Sequence, residues 1–160
     1  MDSSSSSVRQ LCDDRGVFDS EQEPQRHTGY LIRRAQQAHV AAWTRLVSTE
    51  ISSVQYSILV ILDRVGEASQ RELCDEVDLD RSTIADLVRR MEKHGLIERR
   101  RDPGDARRNT VTLTAHGREE RYRLQPLVHD VDRELTAGLS ADEREALRAG
   151  LRALLEAQQG

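Results

Sequence analysis

Aromatic residues are scarce in this chain: one Trp, three Tyr and one Phe in 160 positions, 3% of the total. That supply is too thin for the repeated stacking platforms of single-strand binders and RNA-recognition sheets, which excludes those classes. Cysteine is sparser still, at two residues. Cys12 and Cys74 make neither a disulfide framework nor a set of four metal ligands, and no His or Cys pair has a structural zinc spacing, so no metal or cofactor is expected. The longest aliphatic run, Ile58 to Leu62, falls far short of the ~18 apolar residues that a membrane span requires. The opening Met-Asp-Ser-Ser also lacks the basic and then apolar stretch of a secretory leader, and the expectation is a soluble cytoplasmic protein. A phosphate-binding glycine loop, a nucleophile elbow and a metal-ligand cluster are all missing, so an enzyme is not expected.

An overall excess of one sign of charge is small, 24 basic against 28 acidic residues for a net of −4, but its distribution is informative. Residues 1–25 carry Arg9 and Arg15 against Asp2, Asp13, Asp14, Asp19, Glu21 and Glu23, so this tail holds the whole excess. Residues 81–108 set nine basic side chains against five acidic ones. Local asymmetry governs the choice of partner, because fields are short-ranged at cellular salt.

What is present is helical patterning, in a chain long enough for one domain and a respectable core. Residues 1–25 open on five serines and scatter charge among few apolar residues, which predicts a disordered, Ser-rich acidic tail. From Arg26 to about Val47, Leu31, Ala35, Ala38, Ala42 and Leu46 recur at helical spacing. Ser52 and Gln55 form a capping box ahead of a second helix that ends at Gly66, and Ser69 with Glu72 forms another. Asp80 is a strong N-cap for a helix whose stripe is Ile84, Leu87, Val88 and Met91, closed by Gly95.

Two helices with a tight link are the helix-turn-helix plan. The period then changes: residues 96–101 and 108–113 read as strands around the turn Asp102-Pro-Gly-Asp105, a hairpin wing. Thr114 caps a long helix to about Gly138 that Pro126 should bend, and Ser140 with Glu143 opens the last helix. The expected fold is mainly α with a small β-hairpin wing. It is a winged helix-turn-helix (66–114) within a single domain at 26–160, flanked by dimerisation helices at 26–47 and 115–157. Terminal helices with apolar stripes and no second core suggest packing against another copy.

The stripe of the 81–93 helix must face the core, which turns Arg81, Ser82, Thr83, Asp86, Arg89 and Arg90 outward or to the flanks. Hydrogen-bonding side chains at that end are what a recognition helix offers to base edges in the major groove. In the hairpin, Arg99, Arg100, Arg101, Arg107 and Arg108 gather cationic forks at one point. One guanidinium there can enter a narrow minor groove while the others meet phosphates, with Asp105 holding Arg107 in position. The competing readings are a solvated helix face and a hairpin protected from edge pairing by its charge.

The stretch Asp105-Ala-Arg107-Arg-Asn-Thr-Val-Thr-Leu113-Thr114 follows Gly95-Leu96-Ile97-Glu98-Arg99 and Leu79-Asp-Arg-Ser-Thr-Ile84. It resembles the multiple-antibiotic-resistance regulator (MarR) family, whose signature is Asp-x-Arg and then a Leu-Thr pair after the second wing strand. The resemblance covers about residues 28–157. It implies a homodimeric winged helix-turn-helix repressor of double-stranded DNA, with a pseudo-palindromic operator, terminal helices at the dimer interface, Arg107 in the minor groove and Asp105 as its clamp.

Three aromatics, Tyr30, Trp43 and Tyr56, fall in the first two helices, and His39 and Trp43 share a face. The run Arg33-Arg34-Ala-Gln-Gln-Ala-His39 resembles family members that respond to aromatic carboxylates, where an arginine pairs with the carboxylate and a histidine bonds nearby. This implies a small-molecule effector, an aromatic acid, held by Arg33, Arg34, His39, Trp43 and Tyr56. On a helical wheel Arg33 lies nearly opposite the apolar stripe and Arg34 closer to it, so either can serve only where a dimer buries more than one face of the helix. The alternative is that Trp43 and Tyr56 are core residues and the arginines solvated. Two further alternatives are an oxidant-sensing repressor working through Cys12 or Cys74 and a winged helix used only for protein contacts.

Overall fold

A computed structural model describes residues 24, 26–101 and 109–158. The predicted tail at 1–25 lies outside these residues apart from residue 24, and the wing tip at 102–108 lies outside them entirely. The elements are α1 (Thr28–Leu46), α2 (Ser53–Val65), β1 (Glu67–Ser69), α3 (Gln70–Val77), α4 (Arg81–Lys93), β2 (Ile97–Arg101), β3 (Asn109–Leu113), α5 (Ala115–Leu135) and α6 (Ala141–Glu156). Two units are distinguished, the first ending at Gln37 and the second beginning at Ala38.

Every helix start marked by a cap in the sequence is capped as expected. Ser52, Ser69 and Ser140 each accept from the backbone N–H three residues on, while Gln55, Glu72 and Glu143 reach back to the cap N–H. Asp80 and Thr114 cap α4 and α5 from the side chain alone. Between α3 and α4 the chain turns through Asp78 at φ 51°, a left-handed conformation that Asp tolerates better than most residues. That residue makes the helix-turn-helix link tight. α5 runs as one element through Pro126 and ends at Leu135, three residues before Gly138.

The core of the second unit gathers around α2. Ile58, Leu59 and Leu62 are fully buried with Leu73 of α3, Ile84, Val88 and Met91 of α4, Ile97 of β2, Val111 of β3 and Leu124 of α5. Gly117 sits where α5 meets the start of the hairpin: a Cβ there would stand 1.9 Å from the Leu96 carbonyl oxygen, so only glycine permits this approach.

The sheet departs from the expected two-stranded hairpin. β1 joins it, giving the order β1-β3-β2, all antiparallel, with Ala68 and Arg99 both opposite Val111. An isolated two-stranded ribbon is marginal in water, and the third strand occupies the free side of β3. Along β3, Val111 and Leu113 are buried in the core, while Thr110 before them and Thr112 between them are half-buried.

The terminal helices are different in kind. Of the predicted α1 stripe, Ala42 is buried and Leu46 half-buried, while Leu31, Ala35 and Ala38 are exposed. α6 buries no residue at all, leaving Leu147, Leu151, Leu154 and Leu155 exposed. Among the described residues no helix is long and apolar enough to cross a membrane.

Candidate functional site

The first surface is the exposed side of α4. Burial of Ile84, Val88 and Met91 fixes the helix's rotation, and Arg81, Ser82, Thr83, Arg89 and Arg90 face solvent with Asp86 half-buried. At the helix start the Asp80 carboxylate takes four hydrogen bonds. The amides of Ser82 and Thr83 donate at 2.9 and 3.0 Å, the Thr83 hydroxyl donates at 2.6 Å, and the Ser82 hydroxyl donates to the same oxygen as the amides. These donors, the two hydroxyls foremost, hold the Asp80 carboxyl far below the usual carboxylate range.

The basic side chains divide into two groups. Arg89 pairs with Asp86 at 2.5 Å, Arg100 with Glu98 at 2.5 Å, and Arg99 holds Glu92 through both Nε and a terminal nitrogen. The Glu92–Arg99 pair ties α4 to β2; its hydrogen bonds push the Glu92 carboxyl down and the Arg99 guanidinium up. Arg81, Arg90 and Lys93 have no carboxylate partner among the described residues, which leaves their charge available to an anion. Asp86 and Arg89, both candidate base or phosphate contacts, are therefore already engaged with each other. Arg101 closes β2, its side chain outside what is described, and Asp105, Arg107 and Arg108 lie outside the described residues.

The second feature is a cavity of about 640 Å³. His39, Trp43 and Tyr56 line one side, their rings 5.9 and 5.7 Å apart in sequence and tilted by 50° and 54°. Trp43 is fixed by its indole N–H, which donates to the Ile51 carbonyl at 2.7 Å. Burial raises the pKa of the Tyr56 phenol, partly offset by the charge of Arg121, so the hydroxyl stays protonated and able to donate. Val60, Ile61, Val77 and Val128 make the apolar walls, and Ser53, Ser57 and Glu76 add polar atoms, Glu76 being paired with Arg64 at 2.6 Å. Space of this size with a few placed polar groups suits a small ligand.

Sequence reasoning found three members of this lining and missed the rest. Val60 and Ile61 were legible only as part of an aliphatic run, Val77 and Val128 only as apolar members of helical stripes, and nothing marked Glu76. The two predicted arginines belong to the first unit, where Arg33 and Arg34 lie over the Tyr30 ring at 5.2 and 5.9 Å. Arg33 donates to Gln37 at 3.4 Å and Arg34 to the Tyr30 hydroxyl at 3.1 Å. Cys74 is half-buried against the core, and Cys12 lies outside the described residues.

The MarR family profile matches residues 51–108. The chain is 30% identical to the HTH-type transcriptional repressor NicR of Pseudomonas putida, an alignment covering 82% of this chain and 84% of that protein. The solved structure of the PcaV transcriptional regulator from Streptomyces coelicolor with its natural ligand is similar at a TM-score of 0.80 and 37% identity, covering 84% of this chain and 95% of the other. Bordetella bronchiseptica BpsR, whose DNA binding is regulated by 6-hydroxynicotinic acid, matches at a TM-score of 0.74 and 28% identity over 79% of this chain and 96% of the other.

Proposed function

The chain belongs to the MarR family, and on that premise we propose that it is a homodimeric repressor that binds a pseudo-palindromic duplex operator and is released by an aromatic carboxylate. One observation carries the reading: α4 buries Ile84, Val88 and Met91 and presents Arg81, Ser82, Thr83 and Arg90 to solvent, next to the arginine-rich strand β2. In this reading Ser82 and Thr83 meet base edges, Arg81 and Arg90 meet base edges or phosphates, and Arg107, steadied by Asp105, enters the minor groove.

A dimer is required because one recognition helix spans only a half-site, and the uncovered leucines of α6 are the natural surface for a second copy. The His39, Trp43 and Tyr56 cavity is the proposed effector site. BpsR's regulation by 6-hydroxynicotinic acid supports an aromatic acid as the ligand class. Binding there would favour a spacing of the two recognition helices that no longer fits half-sites about one helical turn apart.

The test is duplex binding by the purified chain to fragments of its own promoter region, titrated with salt and then with aromatic acids. Tight binding that falls steeply with salt and is reversed by one acid is expected. Binding to no fragment at low salt sinks the reading. A thermal-shift screen of the same acids, repeated on His39→Ala, Arg33→Ala and Arg34→Ala, reports which side chains the ligand needs.

A further inference from the structure

We infer that Asp80 is a positioning residue for sequence choice: by taking the hydroxyl protons of Ser82 and Thr83 it leaves both oxygens as acceptors, so the first turn of α4 selects amino bases, adenine or cytosine, over keto bases on the strand it touches. The inference rests on the reading of α4 as the groove-reading helix.

A hydroxyl has one proton and two lone pairs, and Ser or Thr in the major groove ordinarily reads either a donor or an acceptor by rotating that proton. Here the rotation is taken away. The Ser82 hydroxyl meets one Asp80 carboxylate oxygen and the Thr83 hydroxyl meets the other at 2.6 Å. The same carboxylate accepts two amide N–H groups, so only donors face it and the shared protons belong to the hydroxyls. Outward, toward solvent, each oxygen has only lone pairs to offer.

Every base pair carries one exocyclic amino group in the major groove, adenine N6 or cytosine N4, and one keto oxygen, guanine O6 or thymine O4. An acceptor therefore does not separate A·T from G·C. It decides which strand carries the amino base, so A and C become equivalent at that position and G and T are refused together. Asn is as good an N-cap as Asp, but its amide nitrogen donates, so in Asp80→Asn one hydroxyl must accept and turn its proton outward. In Asp80→Ser the cap has a single oxygen and both hydroxyls are released.

The full chain and its variants Asp80→Asn, Asp80→Ser and the double variant Ser82→Ala with Thr83→Val are each used to select duplexes from a randomised pool. Their helical content and thermal unfolding are recorded alongside. The expected result is a position in each half-site where the unmodified protein enriches A and C over G and T, and where the double variant enriches nothing. At that position each folded Asp80 variant lowers the amino-to-keto ratio by at least about fivefold, other positions being unchanged. An unchanged ratio in the Asp80 variants, a keto preference in the unmodified protein, or a double variant that alters no position overturns the inference while leaving duplex reading intact. If the unmodified protein enriches no duplex at all, the reading of α4 falls and the inference with it.

Discussion

α4 and α6 are built alike and end differently. Both are amphipathic and both begin at a side-chain cap, Asp80 in one and the Ser140–Glu143 box in the other. Yet Ile84, Val88 and Met91 are wholly buried, whereas Leu147, Leu151, Leu154 and Leu155 are exposed. Local sequence decides that a helix forms and where its apolar stripe runs. Whether the covering surface lies in the same chain is a tertiary fact that the stripe does not encode.

The comparison breaks most visibly at Val88. Val88→Asp puts an unpaired carboxylate into a site with no exposure, a cost of more than about 4 kcal/mol, and loss of the cooperative thermal transition is expected. The matching change in α6, Leu151→Glu with Leu154→Glu, should leave the thermal transition of the monomer in place but weaken self-association by roughly 3 kcal/mol or more, read as dissociation in sedimentation. Self-association unaltered by these glutamates would mean that α6 is not the interface.

A smaller effect sharpens the contrast. Ser140→Ala removes a cap worth about 1 kcal/mol, and the loss should register as faster amide exchange in the first turns of α6 rather than as a lower global midpoint. Smallest is the response to acid. The backbone N–H and hydroxyl of Ser140 hold the Glu143 carboxyl below its ordinary value. Its contribution is therefore present above the unfolded carboxylate pKa, about 4, and is lost as pH falls from there through the folded value. Protection of the α6 amides, taken relative to the unfolded chain at the same pH, should fall over that acid range, and Glu143→Gln should flatten the dependence.

Much of this was legible because it is local. The capping boxes at Ser52, Ser69 and Ser140 and the cap at Asp80 each depend on residues within three positions of one another. Strand β1 was not legible: Glu67-Ala68-Ser69 is three residues with one apolar side chain, and it is a strand only because β3, over forty residues later, has a free edge. At the candidate site the i, i+4 spacing placed His39 with Trp43, and the Tyr56 ring lies against Trp43. The cavity's remaining walls come from α2, α3 and α5, and periodicity reports a core-facing side without reporting where that core is left unfilled. The i, i+3 ion pair of Asp86 with Arg89 was within reach of the sequence; the Glu92–Arg99 pair needed the path of the hairpin.

The order of the small sheet has a consequence for the molecule at high concentration. With β3 in the middle, the sheet edges left open among the described residues belong to β1, which is three residues long, and to β2, which displays Arg99 and Arg100. The short strand gives a visitor too few rungs to hold, and the other meets its own copies with solvated arginine–glutamate pairs, Arg99 with Glu92 and Arg100 with Glu98, where a bare apolar edge would stick. Two such proteins meeting sheet to sheet would slide apart, so the fold guards itself against fibrous growth at the point where a bare ribbon would invite it.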